Sequence, residues 1–133
     1  LSRTRRRLAR NVHSAPTRST IARVADLQTH LTCNVEQYSQ RIKMRDDVDA
    51  AREVEHFANF RAIKDARTAG AALEKLGYGV TVTRRFIARG TLRATKQATV
   101  DVESADRMVE EVFAVVAAHH GDYDGWAAPL VQG

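Results

Sequence analysis

The chain has 133 residues, 44% hydrophobic and 28% charged, with 21 Lys+Arg against 16 Asp+Glu and a net charge of +5. That length supports one domain, and the apolar content excludes wholesale disorder. The longest apolar run, residues 112–118, is far short of the roughly 20 residues a membrane-spanning helix needs, and a lone Cys33 excludes an internal disulfide and zinc-type cysteine spacing.

The first third of the chain carries the excess charge. Residues 1–45 hold ten Lys/Arg against Asp26 and Glu36, a net +8, while residues 46–133 hold eleven basic and fourteen acidic residues, a net −3. Residues 1–25 contain no acidic side chain and include Arg3, Arg5, Arg6, Arg7 and Arg10. Such an arm suits phosphate contact with RNA or a ribosome by counterion release. Its Arg/Ser-rich composition also suits an organelle transit peptide, or an inert solvated tail; the absence of an apolar stretch removes a secretory signal.

A helix is expected from Ser19 or Thr20 to about Ile42. Ile21, Val24, Leu31, Val35, Tyr38 and Ile42 recur at steps of three and four, with Gln28 in one slot. This stripe reads as a face for docking on the domain or for a homodimer. Asp46-Asp47-Val48-Asp49 then marks a polar junction, dividing the chain into a basic arm with an amphipathic helix (1–45) and a second domain (46–133). Residues 54–60 read as a strand, although without clean alternation. Residues 63–76 read as a helix with Ile63, Ala66, Ala69, Gly70, Leu73 and Leu76 on one face, stopped by Gly77. Residues 78–87 alternate, with Tyr78, Val80, Val82 and Phe86 on one side and Thr81, Thr83 and Arg85 on the other, and Arg89-Gly90 supplies a turn. Residues 94–103 alternate again, with Ala98, Val100 and Val102 inward. Ser104 is the expected cap of a helix to about His120, ended by Gly121. Residues 126–131 are the expected last strand, confined to an edge by Pro129.

From residue 53 the order is β-α-β-β-α-β, the α+β split arrangement termed ferredoxin-like, in which two helices cover one face of a four-stranded antiparallel sheet. Within that order, Glu55-His56-Phe57, Leu76-Gly77-Tyr78-Gly79-Val80 and Asp122-Tyr123-Asp124-Gly125-Trp126 resemble the ribonuclease E inhibitor B (RraB) family over roughly residues 52–131. The most specific part is Tyr-Asp-Gly-Trp, expected between the second domain helix and the last strand. The resemblance implies a cytoplasmic, non-catalytic regulator of RNA decay that restrains a ribonuclease E-type endoribonuclease, or docks on an RNA-decay scaffold, by protein–protein contact. Read from the residues themselves, the signature is structural: Asp124-Gly125 as a turn, Trp126 as a large buried ring, Tyr123 packed on a helix end.

Other chemistry finds less support in the sequence. Asp122-x-Asp124-Gly is a fragment of a calcium loop without its closing Glu, so no metal and no cofactor is expected. His119-His120 closes a helix, where a cation suits the dipole; His56, beside Glu55 on the first strand, reads as a satisfied core or edge histidine, and His13 and His30 have no ligand spacing. The predicted open sheet face (Thr81, Thr83, Arg85, Thr95, Gln97, Thr99) offers only Phe57 for base stacking. Phosphate contact is left to the arm and to Arg84, Arg85, Arg89 and Arg93, a basic cluster on the 84–93 hairpin.

Overall fold

A computed structural model describes residues 18–132, with side chains from residue 26 onward. The order is α1 (Arg18–Lys43), β1 (Arg52–Phe60), α2 (Ile63–Lys75), β2 (Gly79–Arg84), β3 (Gly90–Ala98), α3 (Val102–Ala118) and β4 (Gly121–Ala127). The four strands form one sheet in the order β2-β3-β1-β4, every pair antiparallel.

β1 is central and alternates from end to end, with Arg52, Val54, His56, Ala58 and Phe60 buried. The sequence hides this alternation because two of the five inward positions are Arg and His. Leu92 and Ala94 of β3, Val80 and Val82 of β2 and Tyr123 of β4 extend the same face. Ala66, Ala69 and Leu73 of α2 and Val109, Val112 and Val116 of α3 pack into one cluster with it. A second, smaller cluster joins Val48, Val54, Val100 and Met108, with Tyr38, Ala98, Trp126 and Ala128 at its margin. The first turn of β4 passes so close to Phe60 that a methyl group at Gly121 would collide with the ring.

α1 lies against α3, and Leu27 and Leu31 meet the main cluster. The stripe that docks is 27-31-34-38-41, at helical spacing. It shares Leu31 and Tyr38 with the expected stripe but replaces Val35 and Ile42, which are 52% and 48% exposed, by the buried polar pair Asn34 and Arg41. The side chains of Ile21 and Val24, and the arm arginines Arg3, Arg5, Arg6, Arg7 and Arg10, lie outside the described residues.

Several expected boundaries move. β3 starts at Gly90, four residues before the expected start, and ends at Ala98; Val102 opens α3. The cap of α3 is Asp101, whose carboxylate accepts from the Ser104 amide at 3.1 Å, while Ser104 itself accepts from Thr99. α3 ends at Ala118 with His119 as its C-cap, and His120 takes the left-handed turn at φ 64° before Gly121 opens β4. Leu76 is 40% exposed. Phe86, expected inward, is 81% exposed, because β2 ends at Arg84 and residues 85–89 form the hairpin tip.

Within that tip Ile87 has φ 60°. A β-branched residue meets its own carbonyl there, at about 1–2 kcal/mol. Glycine would relieve this strain but lose more chain entropy on folding, roughly 0.5–1 kcal/mol. Ile87→Gly is therefore expected to leave the protein about 0.5–1 kcal/mol more stable, read as a higher urea midpoint. An unchanged or lower midpoint would show that the Ile87 side chain has a stabilising contact.

Candidate functional site

Tyr123 and Trp126 are three apart, and in a regular strand they would face opposite sides of the sheet. Here both face the helices. The register against β1 pairs Ala58 with Tyr123 and Phe57 with Gly125, so Asp124 is an extra residue, a β-bulge. Gly125 sits at φ 107°, open to glycine and strained for any other residue. The signature lies inside β4 rather than before it, and Asp-Gly serves as a bulge rather than a turn.

The bulge aims two polar tips into the interior. Tyr123 Oη and His56 Nδ1 are 2.7 Å apart, fully buried. Trp126 Nε1 donates to Asn34 Oδ1 at 2.8 Å, and Asn34 Nδ2 donates to Asp106 Oδ1 at 2.9 Å. His30 stacks edge-on to Tyr123 at 4.8 Å, with Phe113 closing the aromatic group. The Arg41 guanidinium lies over the Trp126 ring at 5.5 Å. One signature thus ties β4 to β1, α1 and α3. Sequence patterning does not single out Asn34; its one signal is a polar residue between Leu31 and Tyr38 on the docking stripe.

Burial sets the charge state of this interior. His56 is 0% exposed and is pushed down to about 4, well below an ordinary imidazole, by loss of solvent. Its Nε2 has no hydrogen-bond partner. Burial pushes Tyr123 up, with nearby Tyr78 adding to it. Burial also raises Tyr78, and its hydroxyl donates to Glu111 at 2.8 Å. Lys96 Nζ lies 4.7 Å from the Tyr78 ring and donates to the Leu76 carbonyl at 2.9 Å, beside the helix end that Gly77, at φ 96°, turns.

A second polar centre ties residues 128–131 to the stretch between α1 and β1. Asp46 accepts from Arg41 at 2.9 Å, from Arg52 at 2.8 Å and from the Val131 amide at 2.9 Å. Arg41 also donates to the carbonyls of Ala128 and Pro129, and Arg52 to those of Pro129, Ala50 and Asp47. Burial alone would raise the Asp46 carboxyl, but the bonds from Arg52, Val131 and Arg41 win and hold it near 2. Residues 128–132 are thereby fixed to the α1–β1 junction. In the sequence Asp46 reads as part of a solvated junction, since a run of acidic residues gives no sign that one of them is inside.

At the surface, the open sheet face presents Glu53, Glu55, Phe57 and Asn59 of β1 and Thr91, Arg93, Thr95 and Gln97 of β3. Arg93 is bonded to Glu55 there, one strand across from it, which separates it from Arg84, Arg85 and Arg89 at the hairpin tip. The expected four-arginine cluster is thus three arginines on the tip and one ion pair on the sheet. A cleft of about 410 Å³ lies between the end of β3 and the first turns of α3, lined among others by Tyr78, Lys96, Thr99, Arg107 and Glu111. Among the described residues no group of three His, Cys, Asp or Glu could hold a metal ion, and no helix is long and apolar enough to cross a membrane.

Comparison with known families matches residues 34–127 to the model for RraB, regulator of ribonuclease activity B. The match opens on Asn34 inside α1 and closes on the last residue of β4, so it takes in the Asn34–Trp126 bond and all four strands. No curated protein matches the chain.

Proposed function

Because the chain belongs to the family of regulators of ribonuclease activity B, we propose that it binds a ribonuclease E-type endoribonuclease in the cytoplasm and restrains RNA turnover by protein–protein contact, without a reaction of its own. The observation that carries this reading is the family match across the whole β1–β4 unit. The interior supports it: His56, Tyr123, Asp46, Arg41 and Arg52 are all engaged in bonds between elements, holding a shape rather than lining a reacting cleft. The strand order β2-β3-β1-β4 likewise supports reading this unit as the split, ferredoxin-like arrangement.

The test pairs capture with activity. Immobilised full chain is expected to retain a purified ribonuclease E-type enzyme after nuclease treatment, and to slow its cleavage of single-stranded RNA severalfold at saturation. Capture that disappears on nuclease treatment would replace the reading with an RNA-bridged contact. Unchanged cleavage at saturation would reduce the protein to a tether.

A further inference from the structure

Phe86 and Ile87 are adjacent and 81% and 77% exposed, far beyond the other exposed large apolar side chains among the described residues. They stand at the closed end of the β2–β3 hairpin, with Arg84, Arg85 and Arg89 exposed around them. Residues 75–100 contain six Lys or Arg and no Asp or Glu. An apolar pair inside an arginine collar, with no acid in the segment, is a composition that water alone does not favour.

The tip is also fixed in shape. The Arg85 amide donates to the Arg89 carbonyl at 2.8 Å, and Arg84 Nη1 donates to the Ile87 carbonyl at 3.2 Å. The Ile63 amide, at the start of α2, donates to the Ala88 carbonyl at 2.6 Å, anchoring the loop to the body. Ile87 is held at φ 60°, a conformation a β-branched residue adopts only when its surroundings impose it.

We infer that this tip is a docking knob, which inserts Phe86 and Ile87 into an apolar pocket of a partner protein whose rim carries aspartate or glutamate. Aromatic and arginine side chains dominate the energetics of protein interfaces, and carboxylates answer guanidinium forks with paired hydrogen bonds. A convex, preorganised tip loses little freedom on binding and fits a preformed cavity. A bilayer deforms around whatever enters it and makes no demand for a fixed turn. Single-stranded RNA is held along grooves or open faces rather than by an isolated knob. The inference rests on the regulator reading in one respect, that the partner is a protein; the knob itself rests on exposure, charge and backbone.

The test compares the full chain with its Phe86→Ser/Ile87→Ser variant, against a purified ribonuclease E-type enzyme, phosphatidylglycerol vesicles and a single-stranded RNA. The variant is expected to lose at least tenfold in affinity for the enzyme while its melting temperature does not fall. Arg85→Glu/Arg89→Glu is expected to lose a similar factor. Equal affinity of variant and parent for the enzyme overturns the inference, as does a loss confined to vesicles or RNA. If the parent chain itself does not bind the enzyme, the regulator reading has failed, and a photo-crosslinking benzoylphenylalanine at position 86 decides the knob. In cells that naturally make the chain, adducts mapped to an Asp/Glu-rimmed apolar pocket of any protein sustain it. Adducts to lipid or RNA, or none, overturn it.

Discussion

Asp46→Ala is expected to lower the free energy of unfolding by about 3–5 kcal/mol, because it leaves two buried guanidinium groups without their anion. Arg41 and Arg52 are 6% and 4% exposed, and the Asp46 side chain is inaccessible. The carbonyls of Ala128, Pro129 and Ala50 still accept from the arginines, but they carry no net charge to balance them. The Val131 amide also loses its acceptor, but the segment stays tethered by the Ala128 and Pro129 carbonyls and by the Asp47 amide, which donates to the Val131 carbonyl at 2.7 Å. Urea unfolding measures the loss. Arg41→Met is the informative contrast. It keeps the buried Asp46–Arg52 pair and leaves no guanidinium without its anion, so its cost should be clearly smaller. A loss below about 1 kcal/mol for Asp46→Ala would mean that water reaches both arginines and that the centre is not sealed. A domain of this kind has a total stability of about 5–15 kcal/mol, so the expected loss is a large fraction of the whole.

The order of the elements was legible because each segment announces itself by spacing: Ile63, Ala66, Ala69, Gly70 and Leu73 at helical steps, Val80 and Val82 at strand steps. What was not legible has one recurring cause, polar residues on the inside. Arg52 and His56 break the apparent alternation of β1, and Asn34 and Arg41 displace the docking stripe of α1 by one position from the one that Val35 and Ile42 suggest. Each of these side chains is admitted inside by a partner that only the fold brings to it: the 128–129 carbonyls with nearby Asp46 for the two arginines, Tyr123 for His56 Nδ1, and Trp126 with Asp106 for Asn34. No local pattern can reveal a partner 67 or 92 residues away. The bulge at Asp124 is the second cause. It reverses the parity of the strand, so a residue count along 121–127 puts Trp126 on the wrong face unless the extra residue is known.

The same separation applies to the functional surfaces. In the sequence, the net +8 of residues 1–45 against the net −3 of residues 46–133 suggests that phosphate-directed charge belongs to the arm, with the hairpin as a lesser cluster. Placing Arg93 in an ion pair with Glu55 removes it from that cluster, and turning Phe86 outward adds an apolar centre to the remaining three arginines. A cluster of charge becomes an amphipathic tip. That change is why a pocket with both apolar and acidic character is the complement the hairpin requires, where charge alone would have been satisfied by any polyanion.

Lowering the pH from 7 to 4 is expected to remove about 3 kcal/mol of stability through His56 alone. The imidazole titrates near 6.5 when the chain is unfolded and near 4 when folded. Between those values the unfolded chain binds a proton that the folded one refuses, so stability falls as the pH falls. The loss begins near pH 6.5 and is complete near pH 4; each pH unit in that window is worth about 1.4 kcal/mol. The cause is burial, since Nε2 has no partner that could stabilise an imidazolium and Nδ1 faces a tyrosine hydroxyl whose own ionisation is pushed upward. Below pH 4 a separate loss sets in, as Asp46 takes up a proton between its unfolded value of 3.8 and its folded value of about 2 and loosens both arginines. A His56→Phe/Tyr123→Phe variant separates the two. Removing both buried polar groups together leaves neither unpaired, so the variant should fold, lose the slope between pH 6.5 and 4, and keep the steep loss below it. Urea midpoints at half-unit pH steps read both arms. If the variant keeps the upper slope, another group carries it and His56 is protonated in place at no cost to the fold.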